Sequence, residues 1–123
     1  MIWSAIGAAG LALAVMLGAF GAHGLRGKLD SYLMGIYERA VFYHFIHAVG
    51  LLVVPILVRT TALRPPAGTL VCALLLAGIV IFSGSLYLLA LTGTRWLGAI
   101  TPIGGLCFIA AWLVLAAALA RGQ

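Results

Sequence analysis

Two closely spaced histidines are the residues of this sequence best suited to chemistry. His44 and His47 stand three residues apart, so on a helix their side chains project within about 60° of each other. Imidazoles can ligate a metal, relay protons or hydrogen bond to a neighbouring helix. Hydrogen bonding between helices is the default interpretation. Metal ligation, with His23 as a third donor, proton transfer and ligand binding remain as alternatives.

A second set of polar residues carries hydroxyl groups beside small residues. Ser83, Ser85 and Tyr87 lie in the segment FSGSLY, and Thr101 opens the segment TPIGG. Hydroxyls next to small residues are typical of packed helix interfaces in membranes. We therefore interpret these hydroxyl residues first as packing contacts between helices, and second as the lining of a binding site.

Pro102 predicts an irregular helix close to these hydroxyls. A proline lacks the N–H that would bond the carbonyl of residue 98, and the following Gly104 and Gly105 weaken the next turn. We therefore expect a kink, with free carbonyls near Gly98 and Ala99 that need a partner.

Glu38 and Arg39 are charged residues close to the histidines in sequence. Adjacent helical residues diverge by about 100°, so these two side chains do not pair with each other. Both fall where their helix is expected to enter the membrane, which favours interfacial roles. A Glu38 buried against another helix would instead be a functional candidate.

The composition shows what kind of elements must position these residues. Of 123 residues, 65% are hydrophobic and 7% are charged, whereas a soluble domain is about 45–50% apolar and about 25% charged. This composition excludes a soluble globular domain and a disordered chain. The seven scattered Lys and Arg residues form no basic stripe, which excludes a nucleic-acid-binding module. The chain is expected to be one integral membrane domain over residues 1–123.

Four segments are long and apolar enough to cross a bilayer, which takes about 20 residues as a helix. They cover about residues 2–22, 32–58, 67–91 and 96–120. The sequence therefore predicts an all-α, integral membrane four-helix bundle, with antiparallel neighbours because the connections are short. The first segment lacks a basic n-region and is longer than a usual signal-peptide core, so we interpret it as a span.

Threading these spans places the polar residues in one half of the membrane. We call side A the face with both termini and the 59–66 loop, and side B the face with the other two loops. Polar groups are costly in hydrocarbon, so we expect them to meet in one cluster, about one to two turns in from side B. Orientation stays open, because side A carries three Lys or Arg residues and side B four. The candidate ligand-binding residues are His44, His47, Ser83, Ser85, Tyr87 and Thr101, with His23, Glu38 and Arg39 as additional candidates.

Small residues on the first span predict a close helix contact. Gly10, Ala14, Gly18 and Ala22 recur every four residues, so they keep nearly one helical face for a neighbouring helix. His23 projects away from the centre of this stripe and is interpreted as an interfacial residue.

Several of these segments also carry a family resemblance. GAFGAHGL at 18–25, YHFIH at 43–47, FSGSLY at 82–87 and TPIGG at 101–105 resemble the YgdD/YwdK-like family of small four-span membrane proteins, a domain of unknown function. The resemblance covers nearly the whole chain. It implies a multi-pass protein of the bacterial inner (cytoplasmic) membrane, and it assigns no catalytic or binding residue. The position of His44 can hold a glutamine in this family, which argues against an obligatory two-histidine metal site.

Three classes of function follow from these observations. The first is a module that binds or transports a small ligand, a lipid, an ion or a proton. The second is a structural or accessory protein whose polar motifs fix helix packing, a homo-oligomer or a membrane-protein partner. An enzyme ranks last, because no acid is placed to orient a histidine beside Ser83 or Ser85. No motif marks a metal, haem or other cofactor, and the expected surroundings are lipid rather than nucleic acid.

Overall fold

A computed structural model describes residues 1–122, and within that range the chain is helical with no strand. The helices are α1 (Ile2–His23), α2 (Ser31–Arg59), α3 (Pro65–Gly78), α4 (Gly84–Thr92) and α5 (Thr101–Ala120). A π-helical segment, Ile79–Ser83, joins α3 to α4, and a 3-10 segment, Arg95–Ala99, precedes α5. Four spans are long and apolar enough to cross a membrane, which confirms the predicted all-α four-helix architecture.

The ends of the helices follow from local chemistry. Asp30 caps α2, because its carboxylate accepts a hydrogen bond of 2.8 Å from the N–H of Leu33. Helix α3 begins with Pro65 and Pro66. Proline is tolerated there because the first N–H groups of a helix have no partner within the helix. Gly93 ends α4 in the left-handed conformation, with φ of +70°, that glycine adopts without strain.

Helix α1 packs antiparallel along α2 through small residues. A Cβ added at Gly7 would lie 2.6 Å from the backbone nitrogen of Leu52, so only glycine permits this approach. The buried residues of α1 are Ser4, Gly7, Ala14 and Gly21. The prediction was wrong for Ala22, which is exposed. Residues four apart on a helix differ by about 40° in direction, so a stripe with this spacing gradually turns away from the neighbouring helix. Residues seven apart differ by only about 20° and stay on the contact between two antiparallel helices.

Helix α5 packs against α3 and the π-helical segment, again through glycines. Gly78 lies on the ring of Phe108, and Gly104 lies on the backbone of Phe82. The buried side chains of α2, α3 and α5 form one apolar core, and those of α2 and α4 form a second core nearer side B. Because α1 packs mainly on α2, a groove remains between α1 and the span that contains α3 and α4.

The irregular backbone predicted near Pro102 is present, as the junction between the 3-10 segment and α5 within one span. Pro102 lies in the first turn of α5, where proline is best tolerated, and the chain enters that helix through the 3-10 segment. The N–H of Ile100 donates to the carbonyl of Leu97 at 3.0 Å, and the N–H of Ile103 donates to Ile100 at 3.0 Å. The hydroxyl of Thr101 also donates to Leu97, at 3.4 Å. The irregular backbone is thus a 3-10 turn that leads into α5.

Candidate functional site

A hydrogen-bonded pair, His44 and Tyr87, joins α2 to α4 inside the bundle. The Nδ1 atom of His44 lies 2.9 Å from the Tyr87 hydroxyl, and only 3% of the His44 side chain is exposed. The Tyr87 ring is held edge-on by Tyr37, with 5.4 Å between the ring centroids. On the other side of the imidazole, a Cβ added at Gly10 would lie 3.9 Å from Nε2, so α1 passes directly over the histidine.

This pair lines the groove between α1 and the α3–α4 span, which we call the central groove. Its volume is about 440 Å³. The rest of its lining is almost entirely aliphatic and includes Ile6, Leu13, Leu51, Leu76, Ile79 and Val80. Leu13 and Val80 are exposed, so in a membrane the groove opens sideways towards the lipid hydrocarbon.

The central groove lies deep in the bundle. His44 is opposite Gly10, which is about 12 Å from the Ile2 end of α1 and about 20 Å from its His23 end. A bilayer core is about 30 Å thick, so the imidazole lies near its middle. His44 is therefore deeper than the one to two turns from side B that the spans predicted.

The Tyr87 hydroxyl can form one further hydrogen bond in either tautomer of the pair. If Tyr87 donates to Nδ1, the proton of His44 is on Nε2, where the backbone of Gly10 binds it, and the Tyr87 oxygen can still accept. If Nδ1 donates to the phenol oxygen, the Tyr87 hydroxyl proton stays free to donate. The groove therefore holds one hydroxyl able to bond a ligand among hydrocarbon side chains.

His47 does not share this site. Its Nδ1 donates to the carbonyl of Tyr43 at 2.6 Å, and since a carbonyl only accepts, this bond places the proton of a neutral ring on Nδ1. Its ring stacks on Phe108 of α5, with centroids 3.5 Å apart and planes 11° apart. The two histidines therefore contact different helices. Within residues 1–122, no group of three His, Cys, Asp or Glu side chains has the arrangement of a metal site.

The predicted serine and threonine residues join helices and do not line the central groove. Ser83 donates to the backbone carbonyl of Ala40 at 2.8 Å. Ser85 and Thr101 share a hydrogen bond of 2.6 Å. The expected single cluster thus divides into separate contacts: Ser83 with α2, Ser85 with α5, and Tyr87 with His44.

The Ser83 contact leads to a stability prediction. We expect Ser83→Ala to lower the free energy of unfolding by about 1 kcal/mol, because a fully buried hydroxyl loses its bond while Ala40 keeps its helical partner. Thermal unfolding in detergent measures the change. Thr69→Ala, on the exposed face of α3, is the control and should change little. Equal effects of the two variants would contradict a role for Ser83 in joining the helices.

The additional candidates lie away from the central groove. His23 is the last residue of α1 and is exposed, and Glu38 and Arg39 are exposed on α2. Glu38 lines a shallow groove between α1 and α2, and Arg39 lines another between α2, α4 and α5. None of the three belongs to the lining of the central groove.

Two features of the site were missed by sequence reasoning. The wide π-helical turn at Ile79–Ser83 rotates the residues after it, as a group, relative to α3. Ser85 points away from Ser83 and Tyr87, because residues two apart on a helix diverge by about 200°. Gly10 and Gly84 form part of the groove wall. The glycines that flank the turn, Gly78 and Gly84, are its only signal in the sequence.

Four long apolar helices, tied together by hydrogen bonds inside the bundle, define a multi-span helical membrane protein. The chain belongs to the DUF423 family, described as a protein of unknown function, whose model matches residues 17–105. A UPF0382 membrane protein of Staphylococcus haemolyticus is 51% identical over 111 residues, which are 89% of this chain and 88% of the relative. The UPF0382 membrane protein YwdK of Bacillus subtilis is 46% identical over 115 residues, covering 92% of this chain and 91% of YwdK. No solved structure matches the chain.

Proposed function

We propose that this protein binds a neutral, lipid-soluble molecule in the central groove, within the bacterial inner membrane and with both termini on one side. The observation that carries the proposal is the His44–Tyr87 pair, a polar contact on the wall of an apolar groove that opens towards lipid. Its volume of about 440 Å³ falls within the range of small-molecule sites, about 300–1,000 Å³. The bacterial relatives that are named membrane proteins support the location.

The depth and lining of the groove favour one class of ligand. A phospholipid headgroup stays at the interface, about 15 Å from the middle of the bilayer, and would not reach His44. The lining contains no Asp, Glu, Lys or Arg, and its one histidine is neutral when hydrogen-bonded in hydrocarbon. Such a lining favours a neutral molecule over an ion. The Tyr87 hydroxyl calls for a ligand group that can form one hydrogen bond with it. The ligand is therefore an apolar molecule that carries a carbonyl or hydroxyl oxygen.

A structural role is the second candidate. The hydrogen bonds of Ser83 and Ser85, and the close contacts at Gly7 and Gly104, favour a protein whose motifs fix helix packing. Such a protein would act through a homo-oligomer or a membrane-protein partner. It would retain no defined small molecule, and loss of the Tyr87 hydroxyl would change stability or assembly alone.

The two candidates make different predictions for Tyr87→Phe. A long-chain ketone, heptadecan-9-one, and the alkane heptadecane serve as probes in phosphatidylcholine nanodiscs, with retention measured by native mass spectrometry. We expect the parent protein to retain the ketone about tenfold better than the alkane, which corresponds to about one hydrogen bond. In Tyr87→Phe, this preference should vanish, because the hydroxyl that bonds the ketone is lost.

Tyr43→Phe is the matched control, since the Tyr43 ring packs on Phe82 and its hydroxyl is absent from the central groove. It should keep the ketone preference. Retention of neither probe would contradict the proposed function. Equal retention of both probes by the parent would keep the groove as an apolar site but contradict the role of the pair.

A further inference from the structure

Arg39 lies in a second groove whose lining contains no acidic residue. This interfacial groove, with a volume of about 320 Å³, runs between α2, α4 and the start of α5. The chain has only two acidic residues. Asp30 caps α2, and Glu38 lines the groove on the other side of α2, together with Arg26. The charge of Arg39 is therefore not balanced within its groove.

The interfacial groove changes from polar to apolar along the membrane normal. Tyr32 and Arg39 provide donor groups towards side B, and Thr101, whose hydroxyl is bonded to Ser85, lies on the same wall. Leu86 and Phe82 form the deeper wall. Phe82 contacts Tyr43, with 4.5 Å between ring centroids, so the groove extends about 16 Å along α2 from Tyr32.

The depth of Arg39 matches the headgroup region. Along the antiparallel α1–α2 pair, Gly21 packs on Tyr37 and Gly18 packs on Val41. Arg39 is thus level with residues of α1 that are about one turn from its end at His23. A long arginine side chain at that level reaches the lipid phosphates.

We propose that the interfacial groove binds one anionic phospholipid, with its phosphate on Arg39 and an acyl chain along Leu86 and Phe82. A guanidinium matches the geometry of a phosphate and binds it with two parallel hydrogen bonds. Because no carboxylate neutralises Arg39 in this groove, a headgroup with net negative charge binds better than a zwitterionic one. The order of polar and apolar walls is also that of a phospholipid. This site is independent of the central groove.

Native mass spectrometry in nanodiscs with equal amounts of phosphatidylglycerol and phosphatidylcholine tests the proposal. We expect the parent to retain one phosphatidylglycerol at least about fivefold over phosphatidylcholine, a preference of about 1 kcal/mol. Arg39→Gln should abolish the preference. Lys28→Gln removes the same charge from an exposed loop residue on side B and should preserve it.

A second variant separates the shape of the groove from its charge. Gly98→Leu adds bulk to the interfacial groove and leaves every charge in place; a Cβ at Gly98 would lie at an ordinary 3.6 Å from Leu89. It should reduce phosphatidylglycerol retention as Arg39→Gln does. An unchanged preference in both variants would overturn the proposal. Displacement of the lipid by 10-fold excess inorganic phosphate would also overturn it, because that result indicates a site for free anions.

Discussion

Replacing Gly84 with leucine is expected to reduce retention of heptadecan-9-one at least about tenfold, with no loss of stability. Gly84 lines the central groove, and a Cβ added there would meet no atom within 4 Å. Its φ of −59° is helical, so a residue with a side chain adopts it without strain. The leucine side chain fills space that the ligand would occupy. It also raises helix propensity by roughly 1 kcal/mol.

Gly35→Leu is the matched control for this variant. A Cβ at Gly35 also meets no atom within 4 Å, and Gly35 lies on α2 outside the central groove. The control should retain the ketone like the parent. If Gly84→Leu retains the ketone equally well, the probe binds elsewhere on the protein, and the proposed function is wrong. A lower thermal midpoint in Gly84→Leu would contradict the open space at this position.

Replacing Gly104 with alanine is expected to give the largest loss of stability of any single methyl addition in α5. A Cβ at Gly104 would lie within 3 Å of the backbone nitrogen, Cα and Cβ of Phe82, none of which is the end of a flexible side chain. Helix α5 would have to move away from the π-helical segment. We expect the free energy of unfolding to fall by about 3 kcal/mol and the thermal midpoint in detergent by roughly 10 °C.

Gly105→Ala tests whether this effect is local. At that position the added Cβ would lie 3.8 Å from the ring of Phe82, an ordinary van der Waals distance. This variant should be neutral or slightly more stable, because alanine has the higher helix propensity. Similar losses in the two variants would show that the glycines act through backbone conformation, and the close contact between α5 and Phe82 would not be the cause.

The two proposed sites differ in the depth of their polar side chains. The central groove holds a neutral His44–Tyr87 pair near the middle of the bilayer, where only molecules dissolved in hydrocarbon reach it. The interfacial groove holds Arg39 about one turn from the membrane boundary, where lipid phosphates lie. The histidine and the arginine come from one helix, α2, yet face different walls of the bundle.

The architecture could be predicted from the sequence because long apolar segments have few alternatives in a membrane. The four spans, the cap at Asp30 and the helix break at the prolines 65 and 66 depend on neighbouring residues alone. The packing role of the serines was also predictable, since a hydroxyl in hydrocarbon needs a partner. His44 and Tyr87 were both among the predicted site residues, and the structure brings those two together.

The sequence by itself determined the spans, the membrane class and the residues that need polar partners, because each depends on hydrophobicity and local hydrogen bonding. Only the tertiary structure decided which partner each residue finds. The π-helical turn sets the direction of α4 relative to α3, and in that direction Tyr87 meets His44 while Ser85 meets Thr101. The extra residue of that turn rotates α4 by one helical step, about 100°, relative to α3. Composition and spacing do not reveal this rotation, yet it decides which neighbouring helix each hydroxyl contacts.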